Sequence, residues 1–265
     1  MVRKNQQPIT NGQLLVIVGP TASGKSALAL KAARNYGGEI ISADSLTVYK
    51  RMDIGTAKPS PAERRQVPHW GLDIIGPGER FTAAGFKSYA EDKIAEARQR
   101  GKLPIVAGGT GLYVDSLLYD FKFSPEGSER DPRNPRHLKK TGKLSDNRMR
   151  PDVLLIGLMP LNEVLKQNIA NRAEKMFKDG LIEETQSLIK LYGQDSLLAK
   201  AKVAYGPVIS YLNGALGRDE ALKQLKTLHW QYARRQKTWF KRNRHIQWFG
   251  SAEEAYKFIA QKLNN

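Results

Sequence analysis

The sequence predicts an α/β fold in which helices flank a parallel sheet. Three short apolar runs support this fold: Leu14 to Val18, the segment "EIISAD" and the segment "LPIVAGG". None of them alternates regularly with polar residues, which is typical of strands buried on both faces. A helical pattern follows the first and the third run. The resulting order of strand, helix and strand favours a parallel sheet.

Glycines mark the limits of the first elements. The first helical pattern begins at Gly24 and ends at Gly37 and Gly38, because successive glycines stop a helix. The second strand, "EIISAD", ends at Asp44 and brings a carboxylate to the edge of the sheet where such folds bind ligands. Residues 45–75 are rich in turn formers and basic residues, and we expect a long functional loop there.

The later elements repeat this alternation before the chain becomes helical. "FTAAGFKSYAEDKIAEARQRGK" predicts a helix that Thr82 caps and Gly101 ends. "LPIVAGGTGLYVDSLLY" predicts a strand, a glycine turn and a helix, and "DVLLIGLMP" predicts another buried strand. Two later helices each carry apolar residues on one face: Leu165, Ile169, Ala173 and Met176 on one, and Leu225, Leu228, Tyr232 and Trp239 on the other.

The chain is predicted to contain a core, an insert and a tail. We assign residues 12–121 and 151–250 to the core, and 251–265 to a C-terminal helix or tail. Residues 122–150 have almost no apolar periodicity and are dense in Pro, Arg and Lys. We expect a basic insert there, in the form of a linker, a mobile loop or a reduced subdomain.

The composition limits the class of partner. The net charge of +17 indicates a polyanion, with nucleic acid as the leading candidate and solubility as the alternative. The absence of cysteine excludes disulfides, thiolate zinc sites and cysteine nucleophiles, and it fits a cytoplasmic protein. No apolar stretch approaches the roughly 20 residues of a membrane helix, and the polar start lacks the apolar region of a signal peptide. The histidines show no metal spacing, so we assign no transition metal.

The strongest motif is "GPTASGKS", a glycine-framed loop between the first strand and the first helix. Such a loop wraps backbone N–H groups around an oxyanion, and the following helix adds its positive end. Lys25 brings a mobile cation to the phosphates, and the Ser26 hydroxyl can ligate Mg²⁺. The motif predicts a P-loop NTPase-like fold that binds a di- or triphosphate. The predicted phosphate-binding residues are Gly19, Thr21, Ala22, Ser23, Gly24, Lys25 and Ser26.

Two further residues are candidates at the same edge of the sheet. Asp44 can bind Mg²⁺, orient a hydroxyl or an amine, or act as a base. It can also simply cap the turn into Ser45. "AGGTGLY" places Thr110 in a second glycine-lined turn, where its hydroxyl can donate to a phosphate or to a reacting atom. A tight structural turn explains this second pattern equally well.

The segment "HWQYARRQKTWFKRNRHIQWF" alternates basic and aromatic residues on a predicted C-terminal helix. Aromatic rings stack on unpaired bases and arginines contact phosphates, so the pattern suits single-stranded RNA. The alternative is an amphipathic helix with solvated charges. We favour a core position for Tyr232 and Trp239, and anion binding for the charged residues Arg234, Arg235, Lys237 and Lys241.

On these motifs alone, a small-molecule kinase and an NTPase both stay open. A kinase would use Asp44 to orient its acceptor, but it would not require a charge of +17. An NTPase usually also has a strand that ends in an acidic residue for Mg²⁺ and a residue that positions water. Only "EIISAD" offers such a carboxylate. The NTPase pattern is therefore incomplete.

Taken in order, five segments resemble the tRNA dimethylallyltransferases, which prenylate an adenosine next to the anticodon. These segments are "GPTASGKSALAL", "IISADSLTVYKRMDIGTAKP", "PHWGLDI", "GKLPIVAGGTGLYVDSLL" and "QYARRQKTWF". The resemblance runs from about Leu14 to Phe249. Its specific part is "DIGTAKP" together with "GGTGLY", because the phosphate loop alone is common to many families.

The resemblance implies a reaction and a set of site residues. The loop from Gly19 to Ser26 would hold the diphosphate of dimethylallyl diphosphate, with Lys25 and a Mg²⁺ ion at Ser26 neutralising the leaving group. Asp44 would orient the N6 amine of the adenine or accept its proton, and Thr110 would contact the diphosphate or the reacting centre. The tRNA anticodon stem-loop would be the partner of a monomeric enzyme. Its implied contacts are Ser45, Thr47, Lys58, Arg234, Arg235 and Gln236.

The chain departs from the family pattern at several places. The helical insert that grips the anticodon stem-loop is shortened here to about residues 122–150, which leaves compact tRNA binding, weaker binding or compensation by the basic C-terminus. His229 and Trp230 replace a Thr-Arg pair whose arginine is expected to help hold the diphosphate, and "AYGPV" replaces a "GYKE"-like segment. Thr47 stands where glutamine is common. A divergent tRNA-binding member with reduced or altered activity is therefore a second hypothesis.

Overall fold

The computed structural model describes residues 13–77, 79–119, 121, 123 and 149–264, with Lys200 described by its backbone alone. Along the chain, four consecutive helices lie between the fifth strand and the last strand of the sheet. The elements in chain order are β1 Leu14–Val18, α1 Lys25–Tyr36, β2 Gly38–Ser42, α2 Pro61–Gln66, β3 His69–Trp70, α3 Ala83–Gln99, β4 Leu103–Gly108, α4 Gly111–Leu118, β5 Val153–Leu158, α5 Asn162–Lys178, α6 Leu181–Tyr192, α7 Gln194–Leu212, α8 Arg218–Phe240, β6 Gln247–Phe249 and α9 Ala252–Leu263.

The described strands form one sheet with the order β3-β2-β4-β1-β5-β6, and every pairing in it is parallel. The predicted α/β class with a parallel sheet and a helical C-terminal part is confirmed. The central strand β1 lies between β4 and β5, and all five of its residues are fully buried. This burial explains why its sequence is apolar without alternation.

The side chains of β1 point alternately into two cores. Leu14, Val16 and Val18 pack with α3, α4 and α8 on one face of the sheet. Leu15 and Ile17 pack with α1 and α9 on the other face. This period of two is the geometry of a strand, and it leaves helices on both faces. A third core lies beside the sheet, where α5 to α8 pack on the loop that follows β2.

Several local signals act as predicted. Gly37 adopts a left-handed conformation, with φ +61°, and ends α1. The Thr82 hydroxyl accepts a hydrogen bond from the Gly85 N–H and caps α3, and Gly101 follows that helix with φ +64°. The apolar face predicted for α5 is buried and consists of Leu165, Ile169, Ala173 and Met176.

The expectation of one long loop at 45–75 was wrong, because this segment contains α2 and β3. Ser60 and Glu63 form a reciprocal capping box at the start of α2, and Pro61 occupies its first turn. These are ordinary helix-start signals, but they lie among many turn-forming residues. In addition, β2 ends at Ser42, two residues before the predicted end at Asp44.

The C-terminal segment also differs from its prediction. Helix α8 ends at Phe240, and residues 247–249 form the edge strand β6 beside β5 instead of continuing as a helix. The buried face of α8 is rotated as well: Leu228, Tyr232 and Trp239 are only half-buried. Hydrophobic periodicity missed the true face because it contains two polar residues. Its members are Ala221, Leu225, His229, Ala233, Gln236 and Phe240.

Two predicted segments remain, the C-terminal helix or tail and the basic insert. Within the predicted C-terminal helix or tail, α9 packs on α1 and buries Ala255 and Ile259 completely. The insert predicted at 122–150 lies outside the described residues except at 123, 149 and 150. In the part of the chain that the structure describes, no helix is both long and apolar enough to cross a membrane.

Candidate active site

The phosphate loop joins β1 to α1 at the carboxyl edge of the sheet. Its backbone is left-handed at Gly24, with φ +93°. A side chain at Gly19 would collide with the carbonyl oxygen of Leu158, which lies 2.6 Å from the position of a Cβ. These glycines let the loop close over the start of α1, where the first turn of a helix leaves N–H groups unpaired. Residues 19–26 therefore form a backbone cradle with the geometry of an anion site.

Lys25 opens α1 and turns its ammonium group toward this cradle. Its Nζ donates a hydrogen bond to the carbonyl oxygen of Pro20 at 3.1 Å. Burial lowers the pKa of Lys25 to about 8; the Asp44 carboxylate opposes this shift and the Arg172 guanidinium adds to it. The cradle thus contains a desolvated cation with another cation and a carboxylate nearby.

Helix α5 forms the second wall of a cleft of about 320 Å³ at the mouth of the loop. Asn168 Nδ2 donates to the carbonyl oxygen of Ala22 at 3.1 Å and ties the helix to the loop. The sequence did not single out any α5 residue for this site, because polar residues at helical spacing look like an ordinary solvated face. The residues that line the cleft are Ala22, Gly24, Lys25, Ser26, Ala27, Asn168, Asn171 and Arg172.

Asp44 lies in the turn after β2, where its carboxylate makes a hydrogen bond within the turn and also acts electrostatically on nearby groups. Its Oδ1 accepts a hydrogen bond from the Leu46 N–H at 2.9 Å, which is the turn-capping role considered above. The same carboxylate is close enough to add to the rise in pKa of two phenols, Tyr113 and Tyr232, which burial causes in the first place. Asp44 therefore lies within electrostatic range of two aromatic hydroxyls and of Lys25.

The GGTG turn packs tightly against its neighbours. A side chain at Gly108 would collide with the backbone of Ala43, and one at Gly111 would collide with the Trp239 ring. The Thr110 hydroxyl accepts a hydrogen bond from the Ser45 N–H at 2.9 Å and lies 3.2 Å from the Ser45 hydroxyl. The turn thus joins the end of β4 to the turn that carries Asp44, and Ser45 and Thr110 lie beside that carboxylate.

Gln236 on α8 joins the two glycine-rich turns. Its Oε1 accepts a hydrogen bond from the Thr21 N–H at 2.7 Å, and its Nε2 donates to the carbonyl oxygen of Gly109 at 3.0 Å. A side chain at Gly109 would collide with this amide, so the glycine leaves room for it. This bridge explains physically why "GGTG" and "QYARRQ" occur together.

Three of the residues implied to bind tRNA are buried. Gln236 and Thr47 are 5% and 6% exposed, and the Thr47 hydroxyl bonds to Ser42 and to the carbonyl oxygen of Asp44. The Lys58 side chain is 1% exposed, and its ammonium contacts the carbonyl oxygen of Tyr49 and the carboxylates of Asp53 and Asp73 at 2.6–2.9 Å. Their tRNA contacts stay a prediction that this arrangement does not favour, because the side chains bind the protein itself.

The "DIGTAKP" segment is hydrogen-bonded to α6. Both carboxylate oxygens of Glu184 accept hydrogen bonds from the successive N–H groups of residues 53–55, at 2.7–2.9 Å. The Tyr205 hydroxyl donates to the same carboxylate at 2.8 Å, and its ring fills the space beside Gly55. At the end of this turn, the carbonyl oxygen of Thr56 accepts a 3.3 Å hydrogen bond from Arg172. The loop therefore supports the α5 wall of the cleft.

Arg234 and Arg235 lie on the exposed face of α8, outside the cleft. The Arg235 guanidinium lies 5.6 Å from the ring centre of Tyr232, and Arg242 lies 4.0 Å from that of Trp239. Salt bridges among the described residues include none of these three arginines. A groove of about 470 Å³ runs along this face, lined by Gln231, Arg234, Arg235, Thr238, Trp239 and Arg242.

The substituted pair on α8 lies near the phosphate loop. Trp230 packs on the apolar cluster that contains Leu165 and Ile169 of α5, as does Ala22 of the loop, and the Lys166 ammonium lies 5.2 Å from the Trp230 ring centre. Burial, together with the Arg172 charge, lowers the pKa of His229 to about 3. The pair therefore contributes an apolar ring and a neutral imidazole rather than a cation.

The fold and the site together define a phosphate-loop α/β protein, in which a backbone anion cradle, a lysine and a carboxylate meet at the carboxyl edge of a parallel sheet. Comparison with family models narrows this class. Residues 47–144 and 129–243 match the IPP transferase model, and residues 12–70 match an isopentenyl transferase model. The chain belongs to the IPP transferase family, which confirms the resemblance found in its motifs.

Individual relatives agree with this assignment. The chain is 36% identical over 300 residues to a tRNA dimethylallyltransferase of Staphylococcus carnosus, covering 94% of this chain and 95% of the relative. It is 36% identical over 281 residues to the Pelotomaculum thermopropionicum enzyme of the same name, covering 89% and 90%. A crystal structure of a tRNA isopentenylpyrophosphate transferase from Staphylococcus epidermidis superposes with a TM-score of 0.79 at 32% identity, covering 95% and 98%.

Proposed function

We propose that this protein transfers the dimethylallyl group of dimethylallyl diphosphate to N6 of the adenosine next to the anticodon of tRNA. The observation that carries the proposal is that the Asp44 carboxylate lies within electrostatic range of Lys25 in the phosphate loop, because a prenyl transfer needs a proton acceptor and a diphosphate site close together. The family and its tRNA-modifying relatives support it. The monomeric state and the cytoplasmic location stay predictions.

The phosphate loop accounts for departure of the leaving group. The C–O bond of the allylic diphosphate breaks, and its electron pair leaves with the diphosphate. The backbone N–H groups in the first turn of α1 and the Lys25 ammonium meet the negative charge that grows there. Because these donors are in position before the reaction, they stabilise the transition state without reorganising.

Asp44 accounts for activation of the acceptor. N6 attacks the allylic carbon, and the proton that it loses passes to the Asp44 carboxylate, which also orients the amine. Thr110 supports this geometry through Ser45, which is next to Asp44 in the same turn. The target adenine must leave its stack to reach the carboxylate, as in other enzymes that modify bases.

The chain's residues fit a Mg²⁺ ion of the kind that binds together with its substrate. Ser26 exposes its side chain at the cleft, directly after Lys25. No group of three or more metal-binding side chains occurs in the described part of the chain. Mg²⁺ suits such a site because it keeps several waters and takes its other ligands from phosphate oxygens. When bound, it would neutralise charge on the leaving diphosphate.

The exposed face of α8 is the proposed grip on tRNA. Within the described part of the chain, Arg234, Arg235 and Arg242 form no salt bridge, and two of these guanidinium groups lie near aromatic rings. Phosphates pair with arginine, and unpaired bases stack on guanidinium and aromatic planes. The net charge of +17 gives the same preference for a polyanion.

The test is a direct analysis of the product. The protein is incubated with dimethylallyl diphosphate, Mg²⁺ and unmodified tRNA, and the digested nucleosides are weighed by mass spectrometry. We expect adenosine that carries one added prenyl group. Asp44→Ala should abolish the product while tRNA affinity stays unchanged.

Three results would contradict the proposal or parts of it. Retained turnover in Asp44→Ala would remove Asp44 from the mechanism. Unmodified nucleosides with salt-sensitive tRNA binding would favour a non-catalytic binder. Turnover of ATP that depends on Lys25 and ignores tRNA would favour a kinase.

A further inference from the structure

Arg172 is a half-buried cation that the mechanism above does not use. Its Nη2 donates one long hydrogen bond, 3.3 Å, to the carbonyl oxygen of Thr56. Its Nε is buried and has no acceptor within the described residues. A guanidinium keeps its charge under all ordinary conditions, and partial removal of that charge from water is unfavourable when no carboxylate pairs with it. Burial accordingly lowers the pKa of Arg172, and Asp44 opposes the shift.

The surroundings of Arg172 suit an anion. It lines the cleft together with Gly24, Lys25 and Ser26, and no carboxylate is among the described residues that line it. At the same loop, the Ser23 hydroxyl is 5% exposed and has no hydrogen-bond partner in the described part of the chain. Among the described residues, the Ser23 hydroxyl and the Arg172 Nε have no acceptor, while Lys25 and Arg172 each donate one hydrogen bond to a backbone carbonyl oxygen. An anion with several oxygens would satisfy them together.

Among the described residues that line the cleft, the cations are Lys25 of the loop and Arg172 of the helical layer. On α8, the substituted residues His229 and Trp230 supply an imidazole that stays neutral and an apolar ring. Asn168 fixes α5 against the loop through Ala22, and it lies one helical turn before Arg172, on the same face of α5. The helix is therefore positioned to bring Arg172 to whatever binds in the loop.

We propose that Arg172 is a second cationic ligand of the diphosphate, and that it binds the leaving group from α5 while Lys25 binds it from the phosphate loop. The proposal rests on the function proposed above insofar as it identifies the anion as the diphosphate of an allylic donor. Trp230 on α8 brings no positive charge to the diphosphate site. On this proposal, Arg172 on α5 supplies a positive charge there. The Thr56 carbonyl oxygen holds the guanidinium in place until the anion arrives.

The test compares Arg172→Met with Lys175→Met, which removes an exposed cation from the same helix. Binding of inorganic pyrophosphate in the presence of Mg²⁺ is measured by calorimetry, and stability without ligand by urea unfolding. We expect Arg172→Met to weaken pyrophosphate binding at least tenfold. Its urea midpoint should stay equal to that of the wild type or rise, because a partly desolvated charge has been removed. Lys175→Met should bind pyrophosphate as the wild type does.

A purely structural role for Arg172 predicts the opposite pair of results, namely a lower urea midpoint with unchanged pyrophosphate affinity, and this would overturn the proposal. If Arg172→Met does not fold, Arg172→Lys decides. A weakened affinity in that variant supports the proposal, because lysine keeps the charge but loses the planar fork, and an unchanged affinity overturns it. A wild type that binds no pyrophosphate also overturns it.

The same variants separate this proposal from the proposed function. In the tRNA reaction, Arg172→Met should raise KM for dimethylallyl diphosphate at least tenfold and leave tRNA affinity unchanged. A wild type that fails to prenylate tRNA but binds pyrophosphate through Arg172 would refute the proposed function and support this inference.

Discussion

The two walls of the cleft differ in the groups that form them. The phosphate-loop wall is mostly backbone, shaped by Gly19 and Gly24 and completed by Lys25. The α5 wall is made of side chains, Asn168 and Arg172, that project from a regular helix. Both walls supply donors to one space, and Asn168 joins them through a single hydrogen bond to the loop.

This difference determines how each wall can change. A backbone wall depends on conformations that few residues adopt, so its sequence is restricted at fixed positions. A side-chain wall requires only that a suitable group face the cleft, so a cation can be supplied from another helix when one position loses it. In this chain, Arg172 on α5 supplies a cation to the cleft and Trp230 on α8 supplies an apolar ring.

The largest effect is expected at the loop wall, from Lys25→Met. Removing one preorganised donor from a developing negative charge typically costs about 10²- to 10³-fold in kcat. We therefore expect prenylation to fall by about that factor in single-turnover measurements with saturating tRNA and dimethylallyl diphosphate. Arg172→Met should cost less at saturation, because much of its loss is recovered by raising the donor concentration.

Lys31→Met is the matched control for Lys25→Met. Lys31 lies on the same helix, is exposed and contacts the Tyr256 ring instead of the cleft. Its removal should leave kcat within twofold of the wild type. If Lys31→Met lowered kcat as much as Lys25→Met, the effect would come from the overall charge and not from the loop.

The elements predicted best from the sequence are those with a strict local requirement. β1 was recognised because burial on both faces requires an unbroken apolar run, and α1 because glycines lie at both of its ends. β6 was missed because it has three residues and pairs with β5, which is distant in sequence. Propensity cannot identify a strand whose stability comes from such a pairing.

The same distinction holds within the site. The loop residues, Asp44 and Thr110 follow strand ends, where the order of elements alone indicates the edge of the sheet that carries the site. Arg172 and Gln236 are placed by helix packing, which the sequence does not specify. The glycines of "GGTG" contained part of that information, since Gly109 leaves room for Gln236 and Gly111 for Trp239. Recognising this from the sequence would have required knowing which helix packs there.

A smaller effect is expected from pH, and it should act mainly through the loop wall. Burial lowers the pKa of Lys25 to about 8, so the free protein loses this charge as pH rises through that value. Pyrophosphate affinity should then fall by up to about tenfold per pH unit above pH 8. Stability should change in the opposite direction. The unfolded chain keeps the Lys25 proton up to about pH 10.5, whereas the folded protein releases it near pH 8. The free energy of unfolding of the unliganded protein should therefore rise as the pH increases from 8 to 10.5.

Lys25→Met is the control for both pH effects. Calorimetry with pyrophosphate and urea unfolding at pH 7.5 and pH 9.5 should show each dependence reduced in the variant. A pH dependence of equal size in wild type and variant would assign it to pyrophosphate or to another group, and Lys25 would then not be the group that titrates.

The smallest effect is expected where the two walls meet, from Asn168→Ala. The change removes the 3.1 Å hydrogen bond to Ala22 and leaves every donor to the diphosphate in place. A hydrogen bond of this kind contributes about 0.5–1.5 kcal/mol, so KM for dimethylallyl diphosphate should rise by about twofold to tenfold with kcat unchanged. Gln186→Ala, at an exposed amide on α6, should change neither constant. A KM equal to that of the wild type would mean that the phosphate loop keeps its shape without α5. The α5 wall would then act through Arg172 alone, and not by holding the loop.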